Sequence, residues 1–442
     1  MVTKMTPTVT PGLAADPSLN EPVEAKPQHV VATYHIETSL DLQHAAEVLA
    51  GEQSTGTFIR VARESDDLRA RFAAQVVDLE ELPLNGSSPL PGAVGDPAKR
   101  RRGRVRLRFP LANFGPSLPN LQAAVAGNLF EIKELAAIKL VDLDLPQAFA
   151  ERYPGPAFGV EGTRRLMSRP AGAMIGTIIK PSIGLSPAEL AEVVAELASA
   201  GVDFMKDDEL QGNGPSAPLA ERVRAVMPVL QRHADRTGVM PMYAFNITDD
   251  IGRLEANHDL VVEAGGTCVM ACINMVGLAG VEFLRRHATV PIHGHRAMFG
   301  AISRSDQLGF SFRAWQKLAR LSGVDHLHTN GISNKFYEND AEVLDSIAAV
   351  REPLLGQTPT VPVLSSGQWA GLAHATYAAT GTDDLLVLAG GGIHGHPDGP
   401  AAGVKSMRAA WDSAGRGEEM ATALAASAEF RRAAETFGVP RG

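Results

Sequence analysis

MIGTIIKP (174–181), GLSPAELAEVVAELASAG (184–201) and VDFMKDDE (202–209) follow one another almost without a break, and their reading decides the fold. The first and third are short apolar runs that end in charge. The middle stretch carries helix punctuation. Ser186 is placed as N-cap, Pro187 at the first helical position and Glu189 at the third, the capping-box pattern. Leu190, Val193, Val194 and Leu197 then fall on one face at spacings of three and four, and Gly201 follows as a stop. The same strand-then-helix unit recurs at PMYAFNIT (241–248), CVMACIN (268–274), VPIHGHRA (290–297), DHLHTNG (325–331), VPVLSSG (361–367) and LLVLAGGG (385–392). Eight such units with near-continuous apolar strands predict a parallel sheet closed into a (β/α)8 TIM barrel. An open doubly wound sheet would carry a glycine-rich fingerprint after its first strand, and GTIIKP is not one.

Upstream of residue 158 the pattern is mixed. HVVATYHIE (29–37) reads as a strand, DLQHAAEVLAGE (41–52) as a helix and TGTFIRVA (55–62) as a second strand. RVRLRFPL (104–111) alternates arginine with apolar residues, the period-two signature of a half-buried strand. PNLQAAVAGNLF (119–130) reads as a helix entering a turn, and 83–99 as a Pro-, Gly- and Ser-rich loop. This predicts an α+β domain over 28–158, ferredoxin-like, with an antiparallel sheet and helices on one face, ahead of a barrel over 159–442. Residues 1–27, rich in Pro, Thr, Ala and Glu, are read as a tail.

Composition narrows the function. The 442 residues carry 41 Lys+Arg against 50 Asp+Glu, a formal charge of −9, with 45% hydrophobic residues. A net acidic chain is a poor general nucleic-acid binder. The seven bases between Lys99 and Arg108 are therefore read as a solvated sheet face paired with acidic helices, not as a phosphate grip. The two cysteines, Cys268 and Cys272, exclude a disulfide framework and fit a reduced compartment. With no long apolar run and no signal-peptide core, the chain is read as cytoplasmic, without a membrane partner.

In a barrel the chemistry sits at the carboxyl ends of the strands. There the chain places Lys180, the run Lys206-Asp207-Asp208-Glu209, His293 with His295 and Arg296, His326 with His328, Ser365 with Gly367, and Gly390 with Gly391. Strand alternation puts Lys206 and Asp208 on one face, with Glu209 free to swing inward. Such charges beside a buried strand need pairing or a metal, and hard carboxylates point to Mg²⁺ rather than zinc. The bland alternative for the run is a solvated loop. Gly-rich strand ends can cradle phosphate on bare N–H groups or merely make tight turns. Arg296 can grip an anion or close a structural ion pair. His326 and His328 could each touch substrate or serve the core.

GVDFMKDDE (201–209) resembles the signature G-x-D-F-x-K-x-D-E of the ribulose-bisphosphate carboxylase (RuBisCO) large chain. So do GTIIKPSIGLSP (176–187), HGHRAM (293–298), DHLH with Lys335 seven residues on, GGG with GHP (390–397), EQSTGTF (52–58) and GNLF (127–130). The resemblance implies that Lys206 is carbamylated by CO₂ and, with Asp208 and Glu209, holds Mg²⁺. It makes Lys180 the proton-handling group, His295 a further catalytic residue and Lys335 the lid lysine that meets CO₂ or a carboxylate. Arg296, His328 and Ser365 would form one phosphate site; Thr57, Gly367, Gly390 and Gly391 the other. Glu52 and Asn128 would be lent by a neighbouring subunit, in a homodimer or a multiple of dimers.

The departures point away from carbon fixation. Ser182 stands where the carboxylase has a second lysine, Phe299 where it has a histidine, and Phe58 where it has a tryptophan. The lid reads SNKFYEND (333–340) in place of Gly-Lys-Leu-Glu-Gly. The chain therefore resembles a RuBisCO-like protein (form IV), whose members share enolate chemistry at the metal. Asn128 at the position of the enolase-type base lysine argues against that role. Lys335 favours a phosphorylated substrate whose carboxylate leaves or moves: decarboxylation, or transcarboxylation and hydrolysis, of a keto sugar acid of the 3-oxo-isoapionate 4-phosphate type. An isomerase of a phosphorylated sugar and a non-catalytic scaffold are the rival expectations.

Overall fold

The computed structural model describes residues 28–56 and 61–438. The first domain is built on β1 (His29–Thr38), β2 (Gln75–Leu82), β3 (Arg101–Pro110) and β4 (Leu135–Asp144). In the sheet β1 pairs antiparallel with both β3 and β4, and β2 with β3, giving the order β4-β1-β3-β2. With helices Leu42–Glu52 after β1 and Leu118–Ala126 after β3, this is the ferredoxin-like βαββαβ arrangement. Asp41 caps the first helix by accepting from the amides of Gln43 and His44.

β3 alternates as its sequence predicts: Val105, Leu107 and Phe109 are buried while the arginines between them face outward. Their partners differ from expectation. Arg104 meets Glu80 at 2.8 Å and Arg106 meets Asp144 at 2.9 Å, so these carboxylates come from the adjacent β2 and from β4, one strand beyond β1, and not from helices. Glu80 lies directly opposite Arg104 in the register, where cross-strand side chains are closest. Two strands, β2 and β4, were not legible. β2 is an edge strand exposed over much of its length, so its QVVDLEEL carries no apolar period, while β4 begins as a continuous buried run. Of the strand expected over 55–62, residues 57–60, Thr57 and Phe58 among them, lie outside the described residues; Thr55, Gly56, Val61 and Ala62 are turn and loop.

The barrel strands are β5 (Met174–Ile178), β6 (Phe204–Lys206), β7 (Met242–Asn246), β8 (Cys268–Cys272) and β9 (Ile292–His295). One further strand, β10 (Leu308–Phe310), leaves the barrel, which then continues with β11 (His326–His328), β12 (Val361–Leu364) and β13 (Leu386–Leu388). The eight barrel strands are parallel throughout and close with β9 against β11. The helix after β5 has the expected capping box at Ser186 and Glu189. Gly201 follows it at φ +83°, a conformation that costs glycine nothing. The inward side chains, among them Met174, Phe204, Met242, Met270 and Leu388, fill the barrel as a separate core cluster.

β10 corrects the expectation of a purely antiparallel first-domain sheet: it pairs in parallel with β4 through Ile138, Lys139 and Leu140. Lys139 fastens the junction by donating to the carbonyls of Ser303 and Ser305. A second tie is Asp325, fully buried, which accepts from the amides of Phe158, Gly159 and Ile292 and from Arg285 at 2.9 Å. Both ties run from the barrel segment to the first domain or its linker, so the two parts are held in one orientation. Among the described residues no helix is long and apolar enough to cross a membrane.

Candidate active site

The end of β6 shows how strand alternation sorts four consecutive charges. Lys206 and Asp208 point to the mouth of the barrel, and Glu209 joins them as the strand opens. Asp207 points the other way, fully buried, and accepts from Arg222 at 3.1 Å, the Tyr243 hydroxyl at 2.6 Å and the Asn246 amide at 2.9 Å. Asn246, at the end of β7, supports the run by donating to the carbonyls of Asp208 and Glu209.

Lys206 is completely shielded from solvent, with its Nζ 3.7 Å from Glu209 Oε2. Burial pushes its ammonium below the usual lysine value, against the pull of Glu209 and Asp208. Lys180 donates to Asp208 Oδ2 and to Ser182 Oγ, both at 2.7 Å, so Ser182 takes up one of its donors. Burial raises the Asp208 carboxyl, but the Lys180 hydrogen bond, the Leu210 amide and the charges of Lys180 and Lys206 more than offset this and hold it below the usual carboxylate range. His295 Nδ1 accepts from the Ala297 amide at 3.1 Å, which leaves its Nε2–H aimed at Glu209, 3.4 Å away. Burial, helped by Lys206 and Arg296, holds this imidazole well below its ordinary pKa, so it is neutral.

Behind the site runs a chain of hydrogen bonds through the barrel core. Thr163 Oγ1 donates to the Gly159 carbonyl at 2.5 Å and lies 2.8 Å from His326 Nε2. His326 Nδ1 is 3.3 Å from His293 Nδ1, His293 Nε2 is 2.7 Å from His328 Nε2, and His328 Nδ1 is 3.1 Å from Ser365 Oγ. Because the threonine proton is spent on Gly159, the polarity of every later bond is set: His326 donates to Thr163, His293 to His326, His328 to His293 and Ser365 to His328. Burial keeps all three rings neutral, with His326 pushed down to about 3 and the other two also well below the ordinary value. His328 and Ser365 line the cavity; His326 lies deeper and belongs to the core.

These groups surround one cavity of about 660 Å³, large enough for a phosphorylated sugar acid. Lys180, Lys206, Asp208, Glu209, His295, Arg296, His328, Lys335, Ser365, Gly367, Gly390 and Gly391 all line it, while Thr57 lies outside the described residues. Lys335 stands on the loop after β11 with its ammonium 5.3 Å from the centre of the Phe336 ring and no carboxylate partner among the described residues. A side chain added at Gly391 would meet no atom within 4 Å, so its backbone is open to the cavity. Glu52 and Asn128 do not line the cavity of their own chain. Both are exposed at neighbouring turns, bridged by the Gln53 amide, which in its satisfied orientation donates to Ala124 and accepts from Leu129. Sequence reasoning missed Glu338. Its carboxylate forms a two-pronged pair with Arg296, one prong at 3.1 Å.

Residues 159–437 match the ribulose bisphosphate carboxylase large chain catalytic domain, and residues 19–149 match the N-terminal domain of the same large chain. The chain belongs to the RuBisCO large-chain family. A 3-oxo-isoapionate-4-phosphate transcarboxylase/hydrolase of Xanthobacter autotrophicus is 48% identical over 408 residues, covering 92% of this chain and 98% of the relative. A 3-oxo-isoapionate-4-phosphate decarboxylase of Rhizobium rhizogenes is 42% identical over 388 residues, covering 87% and 93%. A RuBisCO-like protein of Burkholderia fungorum, solved by crystallography, superposes with a TM-score of 0.86 at 45% identity, covering 92% of this chain and 99% of that one. Within the RuBisCO family the chain thus stands with the RuBisCO-like proteins and not with the true carboxylases.

The family implies Mg²⁺ on a carbamylated lysine, and the residues present fit it. Asp208 and Glu209 offer hard oxygen donors on one side of the cavity. Lys206 sits against Glu209 with its amine biased toward the neutral, nucleophilic form by burial. Only a neutral amine can add CO₂, and the product would be a third hard oxygen donor in the place of an ammonium that repels cations.

Proposed function

We propose that this protein removes or transfers the carboxylate of a phosphorylated β-keto sugar acid of the 3-oxo-isoapionate 4-phosphate type. Mg²⁺ would be held by carbamylated Lys206 with Asp208 and Glu209, in a homodimer or multiple of dimers whose partner contributes Glu52 and Asn128. The observation that carries the reading is the facing of Lys335, a lysine without a carboxylate partner among the described residues, and the Lys180–Asp208 pair across one cavity. The names of the two relatives at 48% and 42% identity support it.

The bond from the α-carbon to the carboxylate breaks, its electron pair passes into the neighbouring keto group, and a proton returns to the α-carbon. Bound Mg²⁺ would supply fixed positive charge beside the oxygens on which this negative charge grows. Lys335 holds the departing carboxylate as an ammonium. Lys180, kept in place by Asp208 and Ser182, hands over the proton. His295 keeps Glu209 oriented with its Nε2–H. The phosphate lies at the glycine end, where Gly390 and Gly391 let it approach the backbone.

The test is turnover of 3-oxo-isoapionate 4-phosphate with Mg²⁺ and bicarbonate, following CO₂ and other products by NMR, in the wild type and in Lys335→Ala. Carboxylate loss should fall by about 10²-fold or more in the variant, while exchange, in deuterium oxide, of the proton that the decarboxylated product carries on the α-carbon persists. Equal loss of both would favour the isomerase. Absence of Mg²⁺ binding at millimolar concentration would favour the inert scaffold.

A further inference from the structure

The lid that carries Lys335 is tied down on two sides by protein groups alone. Toward β12, the Lys335 amide donates to the Ser366 carbonyl at 3.4 Å, and the buried Gln368 side chain donates to the Ile332 carbonyl at 3.1 Å. Toward β9, Glu338 takes one N–H from each terminal nitrogen of Arg296. The guanidinium keeps three of its five donors for other partners. The Tyr337 ring rests against the short helix Phe299–Ser303, where a Cβ added at Gly300 would lie 3.6 Å from Tyr337 Cε1. The Arg304 guanidinium carbon stands 5.6 Å from the centre of the same ring.

Asn330 joins the two sides. It lies at the stem of the lid and is only 2% exposed. Its Oδ1 accepts from Ser366 Oγ at 2.7 Å, and its Nδ2 donates to the Glu338 carboxylate. One side-chain amide thus connects the loop after β12 to the lid and, through Glu338, to Arg296 after β9. The Asn330 backbone is left-handed, at φ +82°. Glycine takes that conformation at lower cost than asparagine, so the backbone alone does not call for this residue. What the asparagine adds is a donor and an acceptor on one short side chain.

We propose that Asn330 is a positioning residue, which bolts the lid shut ahead of substrate binding and so holds the Lys335 ammonium in its working place. Closure is then part of the folded state and not a step that binding must drive. This rests on the proposed function only in the use it makes of Lys335.

Amide hydrogen exchange of the full chain tests it, in the wild type, Asn330→Gly, Asn330→Asp, and Asn330→Asp combined with Glu338→Gln. Glycine accepts φ +82° without strain, so Asn330→Gly should fold and its barrel strands should exchange as in the wild type. Amides of 331–340, that of Lys335 among them, should exchange about tenfold faster or more. Asn330→Asp keeps the acceptor for Ser366 but sets a second carboxylate against Glu338, and should loosen the lid as much. Adding Glu338→Gln exchanges the roles of donor and acceptor and should restore protection, a rescue that general destabilisation would not give. In turnover of the keto acid, Asn330→Gly should raise KM about tenfold with kcat within about threefold, because binding must now also close the lid. A lid that exchanges equally in the wild type and Asn330→Gly, a combined variant that stays loose, or a loss confined to kcat would overturn the assignment. If exchange behaves as stated while the wild type does not turn over the keto acid, the functional reading has failed and the role of Asn330 stands.

Discussion

Asp207 and Asp208 are neighbours with opposite duties, and the alternation of a strand separates them. Asp207 neutralises Arg222 in a site where both side chains are about 1% exposed. Asp207→Ala should therefore destabilise the protein by about 3–5 kcal/mol, because it strands a buried guanidinium and also removes the partner of the Tyr243 hydroxyl. Asp208→Ala removes a carboxylate that faces the cavity, and should abolish activity at a cost in stability of less than about 1 kcal/mol. Urea unfolding and turnover on the two variants check the contrast; similar stability losses would contradict it. Both aspartates were visible as a charge run next to a buried strand. That one of them is structural followed only from Arg222 and Tyr243, which the helix after β6 and strand β7 bring to it.

At the scale of elements, β9, β11 and β12 are tied by His293, His326, His328 and Ser365 into one directed line of hydrogen bonds. A histidine whose folded pKa lies below its unfolded value supports the fold fully above the unfolded pKa and loses that support as pH falls. For these rings the window opens near the ordinary value of about 6.5 and runs down to about 3 for His326. Each ring kept neutral contributes a slope of up to about 1.4 kcal/mol per pH unit inside the window. The unfolding free energy should be flat between about pH 7 and 8 and fall steeply below about 6. In His326→Gln the fall should be shallower by the equivalent of one proton. Unfolding in urea at stepped pH measures this, and an unchanged slope in the variant would mean that His326 titrates normally in the fold. The histidines were legible as polar residues on core strands; their linkage was not, since the line from His293 to Ser365 joins side chains up to 37 positions apart.

At the scale of the whole molecule, Glu52 and Asn128 stand exposed on the first domain and do not line the cavity of their own barrel, which fits their proposed use by a partner subunit. Lys206→Met keeps an apolar side chain of similar volume in the buried position and should fold but not turn over. Mixed with Glu52→Ala after unfolding and refolding together, it should regain activity, because the hybrid holds one site with an intact barrel and an intact partner residue. No recovery, with hybrids shown to form, would place Glu52 in its own chain's chemistry or in none. The barrel and the ring of groups at the barrel mouth were set by the sequence itself, because strand and helix periods are local and a barrel has its chemistry at a known end of each strand; β2 and β4 of the first domain, which carry no such period, were not. The pairing of Arg296 with Glu338 across 42 residues, the turning of Asp207 into the core, the carboxylates of β2 and β4 on the β3 arginines and the loan of β10 to the first domain belong to the tertiary structure. Each depends on which donor and acceptor meet at about 3 Å, a distance that folding decides and chain order does not express.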